Sequence, residues 1–308
     1  MDDRLAAQRV LLLDGGMGSE LRRRGVMVDD GVWSANALMS APDVVRQVHL
    51  DDLHAGADVI TTNSYGITRR ALAKAGFEDD YERLNRLAGA LAAEARDGVQ
   101  REAGRRALVA GSLPPLRGTF RPDLVGPYDE IRPLYAEQAE LLAPFVDLFL
   151  CETMSSAAEA FAAASAATAT GKPVWVAWTL DDDRSGRLRS GETISQAAAA
   201  LASLPIAGVL ANCCAPESIS AAIGELANQG KARCGGYANA YRPVPANWVM
   251  DGTKPTDGKL TMRTDLSPDA YARFARKWLA QGATVIGGCC GIGPEHIALI
   301  RRLLDDAT

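Results

Sequence analysis

Histidine is scarce in this chain, three in 308 residues, and none of His49, His54 or His296 stands at metal-ligand spacing from another. The sequence therefore offers no imidazole-based metal centre. Positive charge is not in excess either: Lys and Arg total 33 against 38 Asp and Glu, a net charge of −5. Phosphate backbones and anionic membranes meet no global attraction, which makes nucleic acid a poor partner. Long apolar runs are missing. Val10 to Leu13 is too brief for a signal segment or a membrane span, so the reading is a cytoplasmic protein. There is no internal repeat, coiled coil or low-complexity linker. The early glycines, Gly15-Gly16-Met17-Gly18, lack the G-x-G-x-x-G spacing of a dinucleotide loop because Ser19, Glu20 and Leu21 occupy the required places.

What is present is an ordinary globular composition, 47% hydrophobic and 23% charged, on a chain long enough for a large core. Apolar β-rich runs alternate with helix-patterned segments. The strand candidates are Leu11 to Asp14, Asp58 to Thr62, Ala107 to Gly111, Asp147 to Cys151, Val174 to Thr179, Gly208 to Asn212, Arg233 to Tyr237 and Thr284 to Gly287. Helix signals follow them: Ser40-Ala41-Pro42-Asp43 opens a run to His54, Ser267-Pro268-Asp269 one ending near Gly282, and Pro294-Glu295 the last. Eight such units predict a (β/α)8 TIM barrel as a single domain over residues 1–308. A doubly wound open sheet is the alternative, since periodicity does not distinguish closure from an edge. Ala157 to Thr170 and Ala197 to Ala202 read as close-packed helices. One long irregular segment, 241–266, follows the seventh strand. Segments of that length serve as lids, binding loops, subunit contacts in a homo-oligomer, or solvated insertions.

Six cysteines in a large acidic chain argue for reduced thiols rather than a disulfide framework. Cys289 and Cys290 are adjacent, and neighbouring Cα atoms about 3.8 Å apart are too close for a disulfide. Lying at a strand end between Gly287-Gly288 and Gly291, they have the backbone freedom to turn both sulfurs to one ion. In a barrel the strand ends meet, so Asn212-Cys213-Cys214 on the sixth strand would converge with them. Alternation would send only one of Cys213 and Cys214 inward. Three sulfurs fit zinc, whose catalytic sites combine three protein ligands with one exchangeable position, and the Cys-x2-Cys spacing of common iron-sulfur clusters is missing. Cys151 and Cys234 read as packing residues. The remaining strand ends are polar: Asp14-Gly15-Gly16, Thr61-Thr62-Asn63, Glu152-Thr153 and Asn239. Asp14 could hold a ligand's ammonium group or cap its turn.

The chain resembles the homocysteine S-methyltransferase family over most of its length. The resemblance rests on residues 13–21 (LDGGMGSEL), residues 55–65 (AGADVITTNSY), Asn212-Cys213, Tyr237-Ala238-Asn239-Ala240 and Ile286-Gly287-Gly288-Cys289-Cys290-Gly291, in this order. It implies a zinc-containing barrel with Cys213, Cys289 and Cys290 as ligands. It also implies that Asp14 and Glu152 hold the amino group of homocysteine, with amides near Gly15 and Gly16 available for its carboxylate. Asn63 and Asn239, at strand ends, complete the candidate substrate site. The chain departs from many relatives at Gly111 to Leu116 and at Ala238 to Arg242, both expected to border the methyl donor.

The implied reaction moves a methyl group from a sulfonium or ammonium donor, S-methylmethionine foremost, to homocysteine. A free thiol is only about 3% thiolate at pH 7. Coordination to zinc removes that proton, a population effect of about 2 kcal/mol. A cationic donor favours aromatic walls, and Tyr65, Tyr128, Tyr237, Tyr241 and Trp248 are the aromatic candidates. Two other readings are an enzyme of the same family acting on another thiol or selenol, such as selenohomocysteine, and a zinc- or thiol-binding protein without turnover.

Overall fold

The architecture comes from a computed structural model, which describes residues 9–28, 31–244, 248 and 260–306. All eight expected strands are present: β1 Leu11–Leu12, β2 Val59–Thr61, β3 Leu108–Leu113, β4 Leu148–Met154, β5 Val174–Trp178, β6 Ile206–Asn212, β7 Arg233–Ala238 and β8 Val285–Gly288. They pair in parallel in the order β1-β8-β7-β6-β5-β4-β3-β2. The open-sheet alternative falls at the remaining seam. There Leu13 bridges Val59 in parallel, Asp58 N–H donates to Leu12 O at 2.7 Å, and Asp14 N–H donates to Val59 O at 3.0 Å. The sheet is a (β/α)8 barrel in a single domain, and no described helix is long and apolar enough to cross a membrane.

The barrel interior is filled by side chains from every strand, among them Leu11, Val59, Leu108, Leu150, Trp175, Leu210 and Val285. Trp175 is the bulkiest of these, and Gly208 on the neighbouring strand makes room for it: a Cβ there would sit 2.8 Å from the indole. Outside, the alanine-rich helix Ala157–Thr168 buries most of its surface. Short side chains let its backbone lie close to the sheet. Sequence signals locate helix starts well. Ser267 Oγ accepts the Ala270 N–H ahead of helix Pro268–Ala280, and Pro42 opens helix Pro42–His54.

Two strands run two or more residues past their expected ends. β3 continues from Gly111 to Leu113 and β4 from Cys151 to Met154. The added residues include Ser112 and Glu152, polar side chains that end an apolar pattern in the sequence yet still pair in the sheet. β4 shifts register between Cys151 and Met154. Of segment 241–266, residues 245–247 and 249–259 lie outside the described residues, so its role as lid or subunit contact is not addressed by the structure. Its ends are described: Tyr241 and Met262 pair in an antiparallel bridge.

Candidate active site

A cavity enclosing about 810 Å³ of empty space, its open mouth included, lies at the carboxyl ends of the strands. Asp14, Gly15, Gly16, Asn63, Glu152, Cys213, Cys289 and Cys290 all line it. Of the expected site residues, Asn239 does not.

The thiols come from two strand ends. Cys213 directly follows β6 and has a left-handed backbone, φ +50°. Its N–H donates to Tyr237 O at 3.2 Å and its carbonyl accepts from Thr179 Oγ1 at 3.3 Å. Cys289 and Cys290 follow β8. Cys289 N–H donates to Ala238 O and Cys290 O accepts the Ala240 N–H, so both backbones are tied to β7. Gly291, at φ +82°, then turns the chain away. The three Sγ atoms lie within 4.8 Å of one another, and among the described residues they are the one cluster able to hold a metal ion. Hydrogen bonding from Cys213 and then Cys289 pulls the Cys290 thiol well below its ordinary pKa. Cys289 moves the opposite way because it donates to Cys213 and Cys290. Asn239 Nδ2 lies 3.7 Å from Cys213 Sγ and its Oδ1 accepts the Tyr241 N–H, so its amide is committed to the thiol set. Cys214, left open by the alternation argument, packs with the apolar core, as does Cys151. Cys234 is buried against Gly282 O.

Two carboxyls face the thiols. Asp14 receives the Thr61 N–H at 2.6 Å and Thr61 Oγ1 at 3.1 Å. Burial nevertheless pushes its carboxyl up to about 8, and the nearby Glu152 charge pushes the same way. Glu152 accepts from Ser112 Oγ, and from Tyr237 Oη at 3.1 Å. Burial lifts it to about 7. No cationic side chain is bonded to either among the described residues. The pair is desolvated anionic capacity without a counter-charge.

Gly15 and Gly16 have a packing role at the cavity wall. Gly16 N–H donates to Ile292 O at 2.8 Å. The Gly16 amide is engaged within the protein. The glycines are required by close approach: a Cβ on Gly15 would lie 2.4 Å from Ile292 O, and one on Gly16 2.6 Å from Cys289 O. The turn after β1 is thereby packed directly on the cysteine turn. Asn63 lines the cavity with its amide bonded to Ser34, accepting from Oγ and donating to the carbonyl at 3.1 Å.

The aromatic wall is only partly the one expected from sequence. Tyr65, Tyr237, Tyr241 and Trp248 line the cavity, whereas Tyr128 is exposed and packs on Phe161. Trp33 and Phe120 were not legible, each holding a positive φ that bulky residues rarely adopt. Phe120 meets Trp248 in a tilted contact, ring centroids 5.6 Å apart, and packs beside Cys213. Arg189, paired with the buried Asp182, covers the Phe120 ring at 4.4 Å. His49 is a buried core residue that burial pushes down to about 4, while His54 is exposed and His296 sits in the first turn of the last helix.

A sequence model of the family described as homocysteine S-methyltransferase matches residues 11–304. Homocysteine S-methyltransferase 4 of Zea mays is 32% identical, the alignment covering 96% of this chain and 90% of the maize protein. The selenocysteine methyltransferase of Astragalus bisulcatus is 29% identical over 97% of this chain and 93% of its own. The metallated form of the homocysteine methyltransferase MmuM from Escherichia coli superposes with a TM-score of 0.82 at 29% identity, covering 98% of this chain and 99% of that one.

Proposed function

Because this chain belongs to the homocysteine S-methyltransferase family, we propose that it transfers a methyl group from a sulfonium or ammonium donor, S-methylmethionine foremost, to the sulfur of homocysteine, giving methionine. The observation that carries the reading is one cavity holding both a three-sulfur set and two desolvated carboxyls.

The donor set suits zinc. Bonds of about 2.3 Å in tetrahedral geometry need sulfurs about 3.8 Å apart, and the three here lie within 4.8 Å of one another. Cys213, Cys289 and Cys290 would hold the ion, and its chemistry when bound is to lower the pKa of a coordinated thiol so that the homocysteine sulfur is presented as a nucleophile. The remaining work falls to the protein. Asp14 and Glu152 bind the substrate ammonium, which supplies their missing counter-charge, and they ionise as it enters. Thr61 orients the first carboxyl, Ser112 and Tyr237 the second. Asn239 holds Cys213 in place and Asn63 braces the Ser34 wall, both acting indirectly. Phe120 and Trp248 give a cationic donor a polarisable wall beside the sulfurs. No side-chain acid is needed, because the donor departs as a neutral sulfide or amine. Six free thiols suit a cytoplasmic location, where thiols stay reduced.

A selenol acceptor is the second reading, favoured by the name of the Astragalus relative. A binding protein without turnover has no use for the paired carboxyls. The test is methionine formation by zinc-loaded protein from homocysteine or its selenol analogue, with S-methylmethionine, S-adenosylmethionine, betaine and dimethylsulfoniopropionate supplied separately. Turnover with one donor, lost together with bound zinc in Cys213→Ser, is expected. Full activity in zinc-free Cys213→Ser would refute the reading.

A further inference from the structure

Thr153 and Cys213 both hold left-handed backbone at the mouth of the barrel, with φ of +61° and +50°. A β-branched residue in that region is strained unless its surroundings hold it there. Each kink follows or carries a residue of the site. Thr153 comes directly after Glu152, at the point where β4 shifts register, and Cys213 supplies one of the sulfurs. One side chain ties the two together. Asn212, with no exposed surface, reaches from β6 to β4 across β5. Its Oδ1 accepts the Thr153 N–H at 2.8 Å and its Nδ2 donates to Thr153 Oγ1 at 2.9 Å. Tyr237 braces the same pair from β7, donating to Glu152 through its hydroxyl and accepting the Cys213 N–H on its carbonyl.

We infer that Asn212 is a positioning residue that sets the separation between the Glu152 carboxyl and the Cys213 sulfur, and through it the chain length of the amino-thiol the enzyme accepts. The inference rests on the proposed function, in which the substrate's ammonium lies at Asp14 and Glu152 and its sulfur at the cysteine set. Cysteine is one methylene shorter than homocysteine, a difference in reach of about 1.5 Å at most. A cavity whose two ends move independently would tolerate that difference. A cavity whose ends are joined by a buried amide with both polar atoms engaged would not. The same link makes substrate and metal binding mutually dependent, since each orders the strand end that the other uses.

The test compares wild type, N212A and N212A/T153G. It measures the kcat/KM ratio of homocysteine over cysteine, the homocysteine KM, and zinc release to a chromogenic chelator without any turnover. N212A is expected to raise the homocysteine KM by about tenfold, to lower the homocysteine-over-cysteine ratio by a similar factor, and to speed zinc release. Glycine adopts a positive φ without strain, so T153G in the N212A background restores the homocysteine KM toward the wild-type value. The accelerated zinc release persists, because Cys213 stays unbraced. If N212A does not fold by circular dichroism, T153V keeps the N–H bond and removes the hydroxyl that accepts from Asn212; it is expected to lower the ratio severalfold. An active wild type whose ratio and zinc release survive unchanged in N212A, or in T153V, overturns this inference alone. A double variant no better than N212A overturns it as well. A zinc-loaded wild type inert toward both amino-thiols sinks the functional reading, and the selectivity with it.

Discussion

Asp14→Asn separates an ammonium-binding carboxyl from a mere turn cap, and its effect can be worked from the site. In the free protein burial holds the Asp14 carboxyl at about 8. At pH 7 it is therefore about nine-tenths protonated, and ionising it for an incoming ammonium costs about 1.4 kcal/mol. Removing one partner of a buried, hydrogen-bonded charge pair costs about 2 to 5 kcal/mol. The difference centres on about 2 kcal/mol, roughly thirtyfold in the homocysteine KM. The sign of the pH dependence follows from the raised pKa. Below pH 8 the wild type must release a proton before it binds the ammonium, so its affinity rises with pH until that point. The amide in the variant has no proton to release. The ratio of variant to wild-type KM should widen roughly fiftyfold between pH 6 and pH 8, while the titration of homocysteine itself divides out. Initial rates at saturating donor across that range, with zinc content verified at each pH, supply the measurement. Parallel KM profiles for the two proteins would show that Asp14 does not ionise against the substrate amine.

Two further outcomes concern stability. Asp58, buried at the opposite end of the barrel, accepts the Leu12 N–H at 2.9 Å and Arg301 at 2.5 Å across the β1–β2 seam; Asp58→Ala is expected to cost about 3 kcal/mol in urea unfolding with the homocysteine KM unchanged, and a shifted KM would contradict the separation of seam from site. Burial lifts Glu159 to about 7, although it accepts from Ser155 N and Oγ. A carboxyl raised in the folded state stabilises most at low pH and loses that contribution as pH climbs from about 4 through 7. Glu159→Gln should flatten the fall in unfolding free energy between pH 5 and pH 8, and an unchanged slope would place the titration elsewhere.

The barrel was legible because eight apolar runs alternate with helical ones, and the cysteine turn because adjacent thiols among glycines have few other uses. The strand ends were less so. Ser112 and Glu152 break the apolar pattern while remaining in the sheet. Gly15 and Gly16 signalled a special turn correctly, but a glycine reports only that space is short. Whether its amide meets a ligand or, as at Gly16, a backbone carbonyl such as Ile292 O depends on what stands opposite.

The sequence by itself determined which chemistry this protein carries: three soft sulfurs, buried acids at strand ends, and eight units that bring them to one mouth. Those follow from residue type and local period, which need no partner to be read. Tertiary structure alone decided that Glu152 lies near enough to Asp14 to raise its proton affinity, that Thr153 takes a left-handed backbone, and that Asn212 ties that kink to the one at Cys213. Each of these depends on distances between residues 46 or more positions apart in the chain or on backbone angles that residue type disfavours, and only the closed barrel sets them.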